Sequence, residues 1–246
     1  MAEPSQRGKQ FFAGLRTGWP VLLGYIPVSF AFAVWAVGSG LPWQLVLLIS
    51  MTNFTSAGQQ AGAGLLAAGA GLPEIGVTVL VINIRYMLMS LSLSQKMLRI
   101  PVLKRLLLAN GVTDEIFFLA MREKGQLSGW FFTGLSLGPY AGWVLGTLTG
   151  ALAGAVLPAA VTSALGIALF AMFIAIVMPA ARLSRAVAVV TLTAVALSCL
   201  FRWMPLLNRV PSGWALIICA VAASIMGACL FPVPEVEEEG EGEAAA

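Results

Sequence analysis

The chain has 246 residues, of which 59% are hydrophobic and only 10% are charged, with a formal net charge of +3 and no histidine. Its mean hydropathy is +0.90, whereas soluble domains are about 45–50% apolar and about 25% charged. This composition excludes an ordinary soluble domain and indicates a polytopic membrane protein. Without histidine, any proton transfer depends on carboxylates.

Continuous apolarity predicts an all-α protein with about seven to eight membrane segments. The segments lie at about 18–38, 43–68, 75–94, 103–121, 130–156, 160–180, 186–203 and 212–231. We expect residues 1–17 to form a cytoplasmic N-terminal segment, 18–231 the transmembrane domain and 232–246 an acidic, disordered tail.

Lysine and arginine predict the orientation of these segments. Three basic clusters flank them: Arg7, Lys9 and Arg16; Lys96, Arg99, Lys104 and Arg105; and Arg182 and Arg185. Basic clusters near membrane segments favour the cytoplasmic side. Three full membrane crossings between the first and second basic clusters would place the second cluster on the outer side of the membrane. If both clusters are cytoplasmic, the number of crossings between them must be even.

The second segment, 43–68, offers a solution because its centre is polar. The stretch "TNFTSAGQQAGAG" contains Thr52, Asn53, Thr55, Ser56, Gln59, Gln60 and three glycines. A broken or re-entrant segment would return the chain to the side from which it came, and non-helical backbone at that depth requires protein or a water-filled cavity beside it. The alternative is one continuous helix with a small, polar packing face.

The third segment carries Asn83 and Arg85 near its centre. They diverge by about 200° on a helix and would serve different partners. Arg85 lies about 16 Å along the helix from Lys96, so it either extends towards the surface or faces inward to a carboxylate of the protein or of a substrate.

The fourth segment contains Thr113, Asp114 and Glu115. The two acids diverge by about 100°, so one can pair with Arg85 while the other takes and releases a proton. The alternative places both acids in water at the cytoplasmic surface.

Two stretches indicate an internal repeat: "FFAGLRTG" at 11–18 and "FFTGLSLG" at 131–138 match at five positions. Secondary transporters are often built from two related halves with the binding site between them. A two-fold repeat with an offset of 120 residues is therefore possible.

Catalytic motifs are missing from the sequence. It contains no Gly-x-Ser-x-Gly, no Walker-type Gly-Lys-Ser/Thr and no metal-spaced cluster. The three cysteines, Cys199, Cys219 and Cys229, lie in apolar runs typical of small hydrophobic residues. We therefore expect neither an enzyme nor a protein with a cofactor or metal.

Four motifs carry a resemblance to a known family: "GYIPVSFAFAVWAVGSGL", "FTSAGQQAGAGLLAAGAGLPEI", "INIRYMLMSLSL" and "VTDEIFFL". In this order and spacing the chain resembles, from about residue 11 to about residue 205, the AzlC family of branched-chain amino acid exporters. The resemblance implies a large subunit in the bacterial inner membrane that works with a small membrane subunit of the AzlD type. It does not extend to the acidic tail.

The family's motifs fall on Phe54 through Gln59, on Asn83 and Arg85, and on Thr113 through Glu115. The sequence departs from the family at Tyr86, where a histidine is common, and at Gln60, where an aromatic residue is usual. The first departure argues against a histidine proton relay, and the second, with Asn53, indicates a more polar pocket.

The expected function is proton-coupled export of neutral hydrophobic amino acids such as leucine, isoleucine, valine and methionine. The expected substrate-binding residues are Thr55, Ser56, Gln59, Asn83 and Arg85; Asp114 and Glu115 would couple protons or form an ion pair; and Asn53, Gln60, Tyr86 and Thr113 are secondary candidates. Two alternatives stay open: a structural subunit whose arginine–acid pair is architectural, and a channel for small solutes.

Overall fold

The computed structural model describes residues 4–98, 100–154 and 156–232. Their regular elements are α1 (Pro4–Gly38), α2 (Trp43–Thr52), α3 (Ser56–Ala67), α4 (Leu72–Lys96), α5 (Val102–Ala109), α6 (Asp114–Arg122), α7 (Gly129–Gly154), α8 (Ala159–Leu183), α9 (Arg185–Trp203) and α10 (Ser212–Leu230), with a short 3-10 turn at Leu207–Arg209. The chain divides into a first unit, Met1–Phe173, and a second unit, Ile174–Ala246, so the boundary falls inside α8.

The all-α prediction is confirmed for the described residues, but the number of membrane segments is not. Four helices in the described part are long and apolar enough to cross a membrane: Gln6–Gly38, Leu72–Lys96, Arg185–Trp203 and Ser212–Leu230. Helix α1 begins at Pro4 and not near residue 18, so the described part of the predicted N-terminal segment continues the helix. Residues 233–246, most of the predicted tail, lie outside the described residues.

The first unit is organised around α1 and α7, which run parallel and in contact. A Cβ atom added to Gly14 would overlap the carbonyl oxygen of Phe131, and one added to Gly134 would overlap that of Phe11. Small residues let helix backbones approach this closely in membranes. The two Phe-Phe-x-Gly stretches therefore lie side by side with reciprocal contacts.

The same register continues along both helices. Gly142, Gly146 and Gly150 of α7 face Leu22, Ile26 and Phe30 of α1, one turn at a time. The 120-residue repeat itself is not confirmed, because α1 is followed by two short helices whereas α7 is followed by the long helix α8.

One end of the α1–α7 pair, which we call the basic end, also receives the end of α4. Met97 pairs with Leu127 in a backbone bridge just before α7 begins, and the Lys96 ammonium donates to the carbonyls of Ala120 and Met121 in α6. Residues 98–127 therefore leave the basic end and return to it, with α5 and α6 between.

Helices α2 and α3 form a hairpin that enters from the opposite end. Along α2, Val46 packs in one apolar cluster with Ala151, and the Met51 carbonyl accepts a hydrogen bond of 2.9 Å from Tyr140, nearer the centre of α7. Along α3, Ala63 returns to the Ala151 cluster. The chain therefore turns back about halfway along α7. The predicted break in the second segment is confirmed and one continuous helix is excluded, whereas re-entry from one side of a membrane stays a prediction.

The fourth predicted segment, 103–121, is also broken, and the prediction of a single helix there was wrong. Helix α5 ends at Ala109, and α6 begins after Thr113, whose hydroxyl accepts a hydrogen bond from the Ile116 amide at 3.4 Å. A threonine at this position caps a new helix and competes with continuation of the old one.

In the second unit, α9 packs on α10 through a close approach of Gly227 to Val190. Its cysteines are free and range from buried Cys219 to exposed Cys229. This is the behaviour expected of small hydrophobic residues.

Candidate functional site

Two breaks between helices meet beside the α1–α7 pair, about halfway along it. The first interruption is residues 53–55, between α2 and α3, and the second is residues 110–113, between α5 and α6. Phe54 from the first interruption and Val112 from the second lie in one buried cluster with Tyr25 and Trp143. The Phe54 ring packs edge-on against both of those aromatic rings, with centroids 5.7 and 5.8 Å apart. Because α3 and α6 both begin at these interruptions, the positive N-terminal ends of two helices lie near the same depth.

Asn83 joins α4 to the first interruption. Its Nδ2 lies 3.4 Å from Asn53 Oδ1 and 3.4 Å from Thr55 Oγ1. Gly58 leaves the space for this contact, since a Cβ atom there would lie 2.5 Å from Asn83 Oδ1. Ser56, the first residue of α3, is partly exposed beside them. The structure therefore brings Asn53 and Thr55 of the second segment together with Asn83 of the third.

Arg85 points away from Asn83, towards the second interruption. Its guanidinium lies 2.8 Å from Asp114 Oδ2, and the two side chains are 46% and 40% exposed. It also donates to the Tyr86 hydroxyl at 3.2 Å and lies 4.9 Å from that ring. The partner of Arg85 is thus a carboxylate of the protein, and the divergence of Asn83 and Arg85 towards different partners is confirmed.

Glu115 bonds to a different helix from Asp114. The Tyr25 hydroxyl of α1 lies 2.5 Å from Glu115 Oε2 and 2.7 Å from Thr113 Oγ1. The two acids thus have separate partners, Arg85 on α4 and Tyr25 on α1. Sequence reasoning missed Tyr25, although a hydroxyl between Pro20 and Pro27 of an apolar helix was a usable signal.

The two predicted glutamines occupy different surroundings. Gln59 is 1% exposed; its Oε1 accepts from Trp143 Nε1 at 3.2 Å and its Nε2 donates to Ser50 at 3.2 Å. Ser50 bonds in turn to Thr147 at 2.9 Å. Gln60 is also buried, but neither of its amide atoms has a hydrogen-bond partner among the described residues. Gln59 therefore faces α7, away from Arg85.

A groove of about 350 Å³ runs between α1 and α6 on the side of the basic end. Its apolar and weakly polar walls are Thr17, Pro20, Val21, Phe118 and Leu119, and Asp114 and Glu115 also line it. A volume of this size suits a small ligand. Among the described residues, no group of three or more cysteine, aspartate or glutamate side chains could hold a metal ion.

Comparisons with known proteins find relatives among membrane proteins. The chain is 29% identical over 151 residues to the inner membrane protein YgaZ of Escherichia coli (strain K12), covering 59% of this chain and 62% of the relative. It is 32% identical over 142 residues to a membrane protein of Archaeoglobus fulgidus (57% and 61%) and 26% identical over 150 residues to one of Helicobacter pylori (56% and 64%). The matched part thus spans about three-fifths of these relatives, and no solved structure matches the chain.

The family model described as AzlC protein matches residues 20–157. That range includes both chain interruptions, the Arg85–Asp114 pair and Tyr25. Because the match covers more than half of the chain, this protein belongs to the AzlC family.

Proposed function

We propose that the chain is the large subunit of a secondary exporter of neutral hydrophobic amino acids, such as leucine, isoleucine, valine and methionine. The observation that carries the proposal is the meeting of a helix N-terminus, two carboxylates and an apolar groove at one depth of the first unit. A zwitterion needs a donor for its carboxylate, an acceptor for its ammonium and an apolar wall for its side chain.

The N-terminus of α3 suits the substrate carboxylate. The first turn of α3 contains no acidic residue, and its N-cap Thr55 makes no capping bond with its side chain. The first turn of α6, in contrast, contains Asp114 and Glu115 and is capped by Thr113. Of the two helices that begin at the interruptions, α3 is thus the one whose dipole its own side chains do not neutralise. Asn83 and Ser56 would add neutral hydrogen bonds.

The acids suit the substrate ammonium and a counter-transported proton. Asp114 and Glu115 line the groove mainly through their carbon atoms, since almost none of its surface is polar, and 40% of the Asp114 side chain is exposed. Since Arg85 is already paired with Asp114, its role in this proposal is to hold that carboxylate in place and to compete with the ammonium. Coupling to the proton gradient would use protonation of one of the two acids.

The basic end would face the cytoplasm of a bacterium, together with the N-terminus. Lys9, Lys96 and Lys124 lie at or near this end, and basic residues favour the cytoplasmic side. The groove lies in the same half of the unit, so cytoplasmic substrate would reach the acids through it.

A small membrane subunit of the AzlD type would complete the exporter. Support comes from the family resemblance and from α4, which exposes large apolar side chains that lipid or a partner would cover, among them Leu80, Ile84, Met87, Leu88 and Leu91. An architectural role for the chain is the second candidate, favoured by the Arg85–Asp114 contact itself, since an ion pair can fix helix register.

Efflux from proteoliposomes tests the proposal. Vesicles with this chain, with and without an AzlD-type subunit, are loaded with radiolabelled leucine, and efflux is followed with and without a pH gradient. We expect saturable efflux that the gradient stimulates. Efflux that does not saturate would favour a channel, and no efflux from folded protein in either preparation would contradict transport of this substrate.

A further inference from the structure

The order of elements in α1–α2–α3 recurs in α4–α5–α6. Each set consists of one long helix followed by two short ones. The ends of the long helices, Gly38 and Lys96, are 58 residues apart, and so are the N-caps of the last short helices, Thr55 and Thr113. The first set enters its interruption from the end opposite the basic end, and the second set enters from the basic end. The two sets therefore have the arrangement of an inverted repeat.

This correspondence pairs two interfaces that the structure shows in different states. The contact of α1 with α6 corresponds to the contact of α4 with α3. Between α1 and α6 lies the groove of about 350 Å³. Between α4 and α3 there is close packing, since a Cβ atom on Gly62 would lie 3.1 Å from Val79 Cγ2. One interface is open and its counterpart is closed.

The closed interface belongs to the helices that carry unsatisfied polar groups. Among the described residues, the buried side-chain atoms without a hydrogen-bond partner are Gln60 Nε2 and Oε1, Thr78 Oγ1 and Asn83 Oδ1, all on α3 or α4. Thr78 is completely buried and Gln60 is 8% exposed. Buried polar groups are costly when they are unpaired. If water reaches these polar groups in another conformational state of the protein, their concentration on these two helices is explained.

We infer that α3 and α4 form the outer gate of the transporter, with Thr78 and Asn83 lining the passage that opens between them. The inference rests on the proposed function. When the α1–α6 groove closes, α3 moves away from α4, and the Thr78 and Asn83 side chains become hydrogen-bond partners for water and for the polar ends of a zwitterion. The glycines at 58 and 62 permit the tight seal in the closed state.

A reversible crosslink tests the gate directly. The full chain carries Gly62→Cys and Val79→Cys in a background with Cys199, Cys219 and Cys229 replaced by serine. Oxidation is expected to lower leucine efflux at least tenfold, and dithiothreitol is expected to restore it. Val79→Cys alone, treated with the same oxidant, is the matched control and should keep its efflux. Undiminished efflux from fully crosslinked protein would overturn the inference while leaving the proposed function intact.

A labelling experiment gives a readout that does not depend on substrate. Thr78→Cys, in the same background, is treated in intact cells with a membrane-impermeant maleimide. The buried position should react in the uncrosslinked protein because the gate opens, and at least tenfold more slowly after the 62–79 crosslink forms. Equal rates in both states would overturn the gate. If the crosslink slows maleimide labelling but no leucine efflux is found, the gate is supported and leucine is not the substrate.

Discussion

The guanidinium of Arg85 lies 2.8 Å from the carboxylate of Asp114, and this contact joins α4 to the first residue of α6. The two side chains are 46% and 40% exposed, and in the proposed transporter this exposed surface faces a water-filled passage, where solvent screens their attraction. Exposed ion pairs contribute about 0–1 kcal/mol to stability. A pair of this kind does little for the fold, which makes a role in transport the stronger explanation for placing these charges here.

Arg85→Gln should therefore separate function from folding. We expect leucine efflux to fall at least tenfold and the free energy of unfolding to fall by less than about 1 kcal/mol. Efflux from proteoliposomes and denaturant unfolding of the purified protein measure the two effects. Arg122→Gln is the control, because Arg122 lies at the far end of α6, over the Phe118 ring. If the pair is architectural, stability and efflux fall together and the charge swap of Arg85 and Asp114 restores both.

Tyr25→Phe should remove the hydrogen bonds that join α1 to the start of α6. The variant loses the hydroxyl that contacts Glu115 and Thr113 but keeps the ring that packs on Phe54 and Trp143. We expect a loss of about 1 kcal/mol in the free energy of unfolding and reduced efflux.

A double-mutant cycle identifies the partner that matters. If Tyr25 acts through Glu115, Tyr25→Phe combined with Glu115→Gln lowers efflux no further than Glu115→Gln alone. Tyr140→Phe is the control, since it removes a hydroxyl that binds only the Met51 carbonyl among the described contacts. Fully additive losses would contradict a role of Tyr25 through Glu115.

The two neighbouring glutamines should respond in opposite ways to the same change. Gln59→Leu leaves the Trp143 indole N–H buried without its acceptor, so the free energy of unfolding should fall by about 1–3 kcal/mol. Gln60→Leu removes amide atoms that have no partner in this state, so stability should be unchanged or higher while efflux falls. Thermal unfolding in detergent measures the stability of each variant, and efflux from proteoliposomes measures its transport. Equal destabilisation by both variants would contradict the distinction.

Much of the site could be predicted from sequence because polar residues in apolar segments are conspicuous. Asn83, Arg85, Asp114 and Glu115 stand out as polar residues within apolar segments and also fall on the family's motifs, and the structure brings them to one depth. The interruption at 53–55 was predicted from the polar residues around it. Whether each side chain serves transport stays a prediction.

Other features could not be predicted from the sequence because they depend on tertiary contacts. The interruption at 110–113 has an asparagine and an N-cap threonine like the first, although only Thr113 makes the capping bond, and fewer polar residues mark it. Tyr25 becomes notable only when α6 places Glu115 beside it. The "FFAGLRTG" and "FFTGLSLG" stretches indicated a repeat, whereas the close backbone contact between their glycines gives a packing reason for the shared residues.

The close packing of α1 against α7 predicts that an alanine substitution destabilises the protein at one glycine and does not destabilise it at another. Gly134→Ala places a methyl group against the carbonyl oxygen of Phe11, which the backbone of α1 cannot avoid without shifting. Overpacking of this kind costs about 1–3 kcal/mol, so the midpoint of thermal unfolding should fall. Gly76→Ala in α4 meets no atom within 4 Å, and alanine favours the helix by up to about 1 kcal/mol, so this control should unfold at the same or a higher temperature. Because α1 and α7 position both interruptions, Gly134→Ala should also weaken the Arg85–Asp114 contact. Equal unfolding temperatures for the two variants would contradict close packing of α1 against α7.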